Sequence, residues 1–335
     1  MDFRPFDPAQ ATDEDFRAIY EFGVVRSAVD WPELTPPTYE GTVGRLRTSA
    51  VGAEPETMWL AEDGGKLVAT GRFKIELEEN THLATITIAV SPEQRRQGIG
   101  TAFLKVLLAE ARAVGRTRVM GPHVRVGSGG EPWAERMGFV PAQTYVMQTL
   151  TVADTDPALW DVPVPDGYRL VAWTGAAPED IIASYARARH AIADALKGDL
   201  SWTDPDWTPE RIRKEEADFL ATEREHRVVV AVDEATGEVV AQTQIFVRLA
   251  RPEEALQSDT SVTREHRGHG LGRALKAAMM RGLVADRPGL ATVETQTADI
   301  ANMARINLEV GYRTVVTYRY VEAEVAELEK ALGMS

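Results

Sequence analysis

The chain has 335 residues, 44% hydrophobic and 26% charged, which is typical of a soluble globular protein of about two domains. The absence of cysteine excludes disulfides, thiolate metal sites and a cysteine nucleophile. The 37 basic and 51 acidic residues give a net charge of −14, which repels phosphate backbones and argues against nucleic-acid binding. The start of the sequence has no signal-peptide pattern and no apolar run approaches the ~20 residues of a membrane span, so we expect a cytoplasmic protein without membrane contact.

The predicted elements fall into two copies of the same order, described first for the N-terminal half. A helical pattern covers 13–27, a hairpin turns at 63–65, an alternating strand covers 83–90, a helix follows a glycine loop, and a strand near 117–124 precedes a short helix that ends at Gly138. The second half has a helix at about 178–196, a hairpin at 234–237, strands at 255–262 and 290–297, helices after a glycine loop and at about 300–310, and a closing strand at 314–323. This order predicts a mixed sheet of the α/β or α+β class in each copy.

The repeat has an offset of about 172 residues, far longer than the ~20–50 residues of a solenoid, and therefore indicates two copies of one domain. The six residues from Arg95 to Gly100 resemble those from Arg267 to Gly272, and Gly138-Phe139 resembles Gly311-Tyr312. A segment rich in turn residues separates the copies. The predicted division is an N-terminal domain at 1–153, a linker at 154–166 and a C-terminal domain at 167–335.

Each copy places Arg-x-x-Gly-x-Gly between a strand and a helix. Gly98 and Gly100, like their counterparts in the second copy, let backbone amides approach an anion, and the following helix N-terminus adds unsatisfied amides and a positive dipole end. The pattern predicts a pyrophosphate site. A dinucleotide loop requires glycine where the two copies have Phe103 and Leu275, and a nucleotide triphosphatase loop requires Gly-Lys-Ser/Thr, which neither copy has.

These two loops resemble the acyl-CoA pyrophosphate loop of the GNAT superfamily of N-acetyltransferases, and the segment from Asn302 to Gly311-Tyr312 resembles a later motif of that family. The resemblance covers nearly the whole chain as two tandem domains, an organisation similar to that of mycothiol synthase. A mycothiol-synthase-like acetyltransferase is therefore a more specific alternative. It implies two GNAT-type folds, acetyl-CoA as acyl donor without a metal, and direct attack on the thioester by an amine of a small molecule or peptide. The residues implied in cofactor binding are Val90, Arg95, Arg96, Gln97, Gly98, Ile99 and Gly100 in the first copy, and Val262, Arg267, Gly268, His269, Gly270, Leu271, Gly272 and Asn302 in the second.

The two copies differ where acid–base chemistry is expected. Asp259 lies on the strand before the second loop and its counterpart is Thr87, which cannot act as a base, so Asp259 is the predicted general base and the second copy the predicted catalytic half. The alternative is that Asp259 satisfies a local backbone group. The position of the family's usual acid tyrosine holds Asn307, so Tyr318 on the closing strand is the predicted proton donor, unless it only fills the sheet face.

The acceptor and two other functions stay open at this stage. Residues 198–207 interleave carboxylates with Trp202 and Trp207, which suits a cationic, partly apolar amine, although an acidic surface loop with core tryptophans has the same pattern. An acyl-CoA-binding sensor or scaffold without turnover is an alternative. Aminoacyl transfer from tRNA is another, which the negative charge disfavours. The sequence alone identifies neither the acceptor amine nor the oligomeric state.

Overall fold

The structure is a computed structural model that describes residues 1–48, 56–194, 198–298 and 301–334. The elements in chain order are β1 (Asp2–Phe6), α1 (Asp13–Asp30), α2 (Tyr39–Thr48), β2 (Glu56–Asp63), β3 (Lys66–Ile75), β4 (Leu83–Val90), α3 (Ile99–Ala113), β5 (Arg118–Arg125), α4 (Gly130–Met137), β6 (Val140–Thr151), β7 (Tyr168–Thr174), α5 (Ile182–His190), α6 (Pro209–Ala221), β8 (Arg224–Asp233), β9 (Val239–Arg248), β10 (Glu254–Val262), α7 (Leu271–Asp286), β11 (Thr292–Thr297), α8 (Met303–Glu309), β12 (Arg313–Glu324) and α9 (Val325–Ala331). No helix in the described part of the chain is both long and apolar enough to cross a bilayer.

The chain forms two compact units that are not continuous in sequence. Unit 1 comprises Met1–Thr144, Gly198–Thr203 and Tyr318–Ser335, and unit 2 comprises Tyr145–Lys197 and Asp204–Thr317. Unit 1 has the strand order β1-β2-β3-β4-β5-β12, and unit 2 has the order β7-β8-β9-β10-β11-β6. In each sheet one strand pair is parallel, β4 with β5 and β10 with β11, as a crossover through a helix requires.

The closing strand of each sheet comes from the other copy. Residues 146–151 of β6 pair with β11 in unit 2, and residues 318–324 of β12 pair with β5 in unit 1. The compact units therefore differ from the linear division at 154–166, because the repeat does not show which sheet a closing strand joins.

The helices after the glycine loops form the apolar cores. In unit 1, Phe103 and Leu107 of α3 are fully buried against the sheet, and a Cβ at Gly71 of β3 would lie 2.2 Å from the Phe103 ring, so only glycine fits there. In unit 2, the predicted face of α7 is buried: Leu271, Leu275, Met279 and Leu283. Burial of side chains of this size contributes about 1.5–3 kcal/mol each.

The other face of the unit 2 sheet is covered by α5 and α6, through buried Tyr185 and Ile212. The predicted helix at 178–196 is α5, at Ile182–His190, followed by a short 3₁₀ turn, and its last predicted residues lie outside the described residues. The predicted helix at 300–310 is α8, and its first predicted residue also lies outside the described residues. Elements β1, α2, β7, α6 and α9 were not predicted from the sequence.

Candidate functional site

Both glycine loops have the backbone geometry of an anion cradle. Gly98 and Gly270 adopt left-handed φ values of 81° and 82° directly before α3 and α7, and each follows a second left-handed residue, Arg96 (66°) or Gly268 (83°). Alternating left-handed residues turn successive N–H groups toward one concavity, and the helix N-terminus adds its dipole. A Cβ at Gly98 or Gly270 would meet nothing within 4 Å, so this side of each loop is open. Both loops therefore fit a pyrophosphate.

The predicted cofactor residues lie together on the strand end, loop and helix start of their own unit: Val90, Arg95, Arg96, Gln97, Gly98, Ile99 and Gly100 in unit 1, and Val262, Arg267, Gly268, His269, Gly270, Leu271 and Gly272 in unit 2. Asn302 lies at the start of α8 in unit 2. Their contact with a cofactor stays a prediction.

Arg95 and Arg267 brace the loops. In each unit the Nε of this arginine donates to the carbonyl of the last strand residue and its Nη2 donates to an aspartate that ends a preceding helical segment. The acceptors are Val90 (3.1 Å) and Asp30 (2.8 and 2.9 Å) for Arg95, and Val262 (3.0 Å) and Asp194 (2.7 Å) for Arg267. These bonds fix the loop to its strand, a role that the sequence alone did not indicate.

The parallel strands separate before they reach the loop. Paired residues extend from Leu83 to Thr85 in β4 and from Glu254 to Leu256 in β10. Both strands continue beyond the paired part, to Val90 and Val262, so each presents a strand edge toward its parallel neighbour. An extended chain can pair with such an edge as an added strand.

A β-bulge distinguishes β10 from β4. The register with β9 shifts between Gln257 and Thr260, so two residues, one of them Asp259, lie opposite Gln244 alone. In unit 1 the register of β4 with β3 runs without a shift from Ala84 to Val90. A bulge leaves backbone groups outside the ladder and re-aims a side chain, and bulges are common beside active sites.

Gln257 stabilises the bulge from within. Its buried Nε2 donates to the carbonyl of Gln244 (2.6 Å) and to Thr243 Oγ1 (3.0 Å), and its own carbonyl accepts from Thr295 Oγ1 (3.1 Å). The side-chain amide thus satisfies a β9 carbonyl at the point where the ladder is interrupted. No role for Gln257 followed from the sequence, because a strand pattern does not show a bulge.

Asp259 lies on the bulge, three residues before the end of β10, and its side chain is 37% exposed. Burial of the carboxylate raises its pKa, the positive charge of Arg189 opposes that rise, and the negative charge of Asp204 adds to it. A carboxylate that is accessible and has a raised pKa matches the requirements of a general base. Arg189, which sequence reasoning missed, has its Nη2 4.0 Å from Asp259 Oδ2.

Tyr318 does not lie in the same unit as Asp259. It pairs with Arg125 of β5 in unit 1, is fully buried, and its ring centre is 4.8 Å from that of His123. The exchange of closing strands explains this placement. The tyrosine at the start of the closing strand of unit 2 is Tyr145, which precedes the pair of Val146 with Thr297. The prediction that combined Asp259 with Tyr318 did not take this exchange into account.

The two tryptophans of the predicted acceptor segment also belong to different units, Trp202 to unit 1 and Trp207 to unit 2. Asn307, at the position of the family's usual tyrosine, is buried and donates from Nδ2 to Gln148 Oε1 (2.7 Å), so it has a structural partner. Within the described ranges, no three histidine, aspartate or glutamate side chains are grouped so that they could hold a metal ion.

Two units that each combine a separating parallel strand pair with a glycine loop and a helix define the GNAT class of acyltransferase folds. The family model described as acetyltransferase (GNAT) family matches residues 14–139 and 190–308, so the chain belongs to that family, as the sequence resemblance predicted. The family generally uses acetyl-CoA, and membership supports an acyl-transfer enzyme of the N-acetyltransferase type. No protein of curated function matches the sequence.

Solved structures of similar fold include a tandem GNAT protein from the clavulanic acid biosynthesis pathway, with 26% identity, 97% of this chain and 98% of that chain covered, and a TM-score of 0.77. A GCN5-related N-acetyltransferase from Sphaerobacter thermophilus has 18% identity over 97% of this chain and 95% of its own, with a TM-score of 0.73. A glucosamine N-acetyltransferase region of a fungal multi-domain β-N-acetylglucosaminidase has 15% identity over 96% of this chain and 38% of that one, with a TM-score of 0.64. These likenesses support two tandem GNAT domains.

Proposed function

We propose that the chain is an acetyl-CoA-dependent N-acetyltransferase that acts on a primary amine of a small molecule or peptide, with the chemistry in unit 2. The observation that carries the proposal is the bulge of β10 with Asp259 on it, next to a loop with the geometry of an anion cradle. Unit 1 keeps the loop geometry but has Thr87 on an unbulged β4. Unit 1 is therefore assigned to cofactor binding or support of the fold.

Acetyl-CoA, when bound, supplies the activated acetyl group. The backbone amides from Gly268 to Gly272 would hold its pyrophosphate, and the edge of β10 beyond Leu256 would pair with its extended arm. Asp259 would take the proton that an acceptor ammonium must lose before its nitrogen becomes nucleophilic. The negative charges of Asp259 and Asp204 favour an acceptor that arrives as a cation.

Two tyrosine variants would identify the residue that protonates the leaving thiol. Tyr318, the residue indicated by the sequence, lies in unit 1, and Tyr145 has the corresponding place in unit 2. If chemistry occurs in unit 2 with a tyrosine as donor, Tyr145→Phe lowers turnover and Tyr318→Phe has less effect. Equal activity of both variants assigns the proton to solvent.

The experiment that tests the proposal combines binding with turnover. Acetyl-CoA is titrated calorimetrically into the protein and into Gly100→Glu and Gly272→Glu, whose added carboxylates oppose a pyrophosphate. Thiol release is then followed with a panel of polyamines, aminoglycosides and peptide amines. We expect Asp259→Asn to lose about 10²–10⁴-fold in turnover while it keeps its affinity for acetyl-CoA.

Thr87→Ala, the matched change in unit 1, is expected to leave turnover unchanged. Acetyl-CoA binding abolished only by Gly272→Glu supports the assignment to unit 2, and turnover that survives Asp259→Asn refutes the role of that carboxylate. Binding without thiol release from any amine in the panel favours the sensor or scaffold alternative, and absence of binding overturns the acetyltransferase assignment.

A further inference from the structure

Arg189, in the last turn of α5, connects three other elements of unit 2. It donates two hydrogen bonds to the carboxylate of Glu215 on α6, one of them of 3.3 Å from Nη2. Its Cζ lies 3.3 Å from the ring centre of Trp207, and its Nη2 lies 4.0 Å from Asp259 on β10. The side chain is 3% exposed, so this is a buried cation whose charge is compensated by Glu215.

Arg189 binds the carboxylate of Glu215 more closely than that of Asp259. Glu215 accepts two hydrogen bonds from it, whereas the 4.0 Å separation from Asp259 exceeds the 2.7–2.9 Å that is typical of a charge-assisted hydrogen bond. A charge at this distance still acts on the carboxylate electrostatically. Glu215 and the Trp207 ring thus hold the guanidinium close to Asp259 but not on it.

We propose that Arg189 and Glu215 are positioning residues for Asp259, with Glu215 holding the guanidinium back so that the Asp259 carboxylate keeps its lone pairs free for an incoming ammonium. This inference rests on the proposed function for its consequence, because Asp259 is there the general base. The geometry itself predicts how the titration of Asp259 responds to each partner. An arginine free to close on Asp259 would occupy the carboxylate, and loss of the arginine would leave it without a nearby cation.

Among the ionisable groups around Asp259, Arg189 and Glu215 are the pair whose charges can be changed to shift its titration. Asp204, in the segment before α6, repels the Asp259 charge. Tyr185, one turn earlier on α5, is neutral because burial raises the pKa of its hydroxyl, and burial lowers the pKa of His226 on β8 to about 4, so it is neutral as well. Glu216 of α6 is bound to Arg213 (2.6 Å).

The test measures the titration of Asp259 directly in the full chain. The ¹³Cγ resonance of Asp259, assigned by its loss in Asp259→Asn, is followed with pH in selectively labelled protein. We expect Arg189→Met to raise the apparent pKa by about one unit or more and Glu215→Gln to lower it by about one unit, since an opposite charge at 4–6 Å or closer lowers a carboxyl pKa by about 1–3 units. Shifts of opposite sign support the proposal.

Arg187→Met is the matched control, because Arg187 lies on the same helix but pairs with exposed Glu238 and is itself 61% exposed. It should leave the Asp259 resonance unmoved. Arg189→Lys keeps the positive charge, so the apparent pKa of Asp259 should stay close to its value in the unchanged protein. This variant keeps the test usable if Arg189→Met proves unstable. Shifts of the same sign in Arg189→Met and Glu215→Gln, or an unmoved resonance in folded variants, overturn the proposal.

The titration requires no acceptor, so the two proposals fail separately. Turnover that depends on Asp259 together with an unmoved resonance overturns only the positioning pair. Opposite shifts in a protein without turnover support the positioning pair and leave the acetyltransferase assignment refuted. When an acceptor is known, the acidic limb of kcat/KM should move in the same directions as the resonance, which a merely structural role would not produce.

Discussion

Lys276 is a lysine in the apolar core of unit 2, and its replacement should stabilise the protein. It lies on α7, is 2% exposed, and its Nζ is 5.7 Å from the ring centre of Tyr312. Burial lowers its pKa from 10.5 to about 7. The same position of α3 in unit 1 holds Leu104, which is fully buried. The perturbation is Lys276→Met, which keeps most of the volume and removes the charge.

The expected magnitude follows from the difference in pKa between folded and unfolded states. A lowering of about 3.5 units at 1.36 kcal/mol per unit corresponds to a penalty of about 5 kcal/mol. Below pH 7 both states are protonated and the whole penalty is present. Between about pH 7 and 10.5 the unfolded state binds more protons, so stability rises with pH by about 1.4 kcal/mol per unit. Lys276→Met should therefore gain about 4 kcal/mol at pH 7 and less than about 1 kcal/mol at pH 10.

The assay is urea unfolding of both proteins at pH 7, 8, 9 and 10, with the difference in free energy of unfolding plotted against pH. Lys105→Met, which removes an exposed lysine from α3, is the control and should give a small difference that does not change with pH. Leu104→Lys should destabilise the protein most at neutral pH. A difference for Lys276→Met that is equal at pH 7 and pH 10 would refute the reasoning.

Two further predictions concern the loop and the β8–β9 pair of unit 2. Gly270→Ala should weaken acetyl-CoA binding because its φ of 82° strains any L side chain. Gly282→Ala, further along α7, should bind normally because its Cβ would meet nothing within 4 Å. Calorimetry distinguishes the two variants, and equal losses of affinity would contradict the geometry. Because the pKa of buried His226 is lowered from 6.5 to about 4, the unfolded state binds more protons in that window, so stability should fall by about 3 kcal/mol as the pH drops through it. His226→Gln should abolish that fall in urea unfolding, and an unchanged fall would assign it to other groups.

Local patterns predicted the elements around the candidate site. The glycine loops, the strand before each loop and the buried face of α7 follow from residue spacing, because backbone conformation and helix periodicity depend on neighbours in sequence. The bulge of β10 did not follow, because it exists only relative to β9. Arg189 did not follow either, since its contacts with Glu215, Trp207 and Asp259 join elements that are far apart in the chain.

The sequence pattern did not predict the exchange of closing strands for a related reason. Strands β6 and β12 occupy the same place in the two copies of the repeat, and the sequence pattern alone does not show which sheet each strand joins. The choice is made by contacts distant in sequence, such as the pairs of Val146 with Thr297 and of Tyr318 with Arg125. A repeat therefore predicts the elements of each copy more securely than the pairing partners of their last strands.

Unit 2 has a chain of buried polar contacts, which begins where the corresponding strands of unit 1 have an ion pair. Where unit 1 has the ion pair of Glu56 with Arg72 (3.1 Å), the corresponding strands of unit 2 have His226 bound to Gln244 (2.9 Å). This contact continues from Gln244 to Gln242 (3.0 Å), from Gln242 to Ser261 (2.9 Å), and from Ser261 to the carbonyl before Arg189.

A buried polar chain of this kind stabilises a fold less than apolar packing and is tolerated only when its members are paired. It runs across β8, β9 and β10 to the helix that carries Arg189, on the sheet face that Asp259 also adjoins. A unit that served only as support would gain stability from apolar residues at these positions. Their polarity in unit 2 therefore supports the proposed site at the bulge.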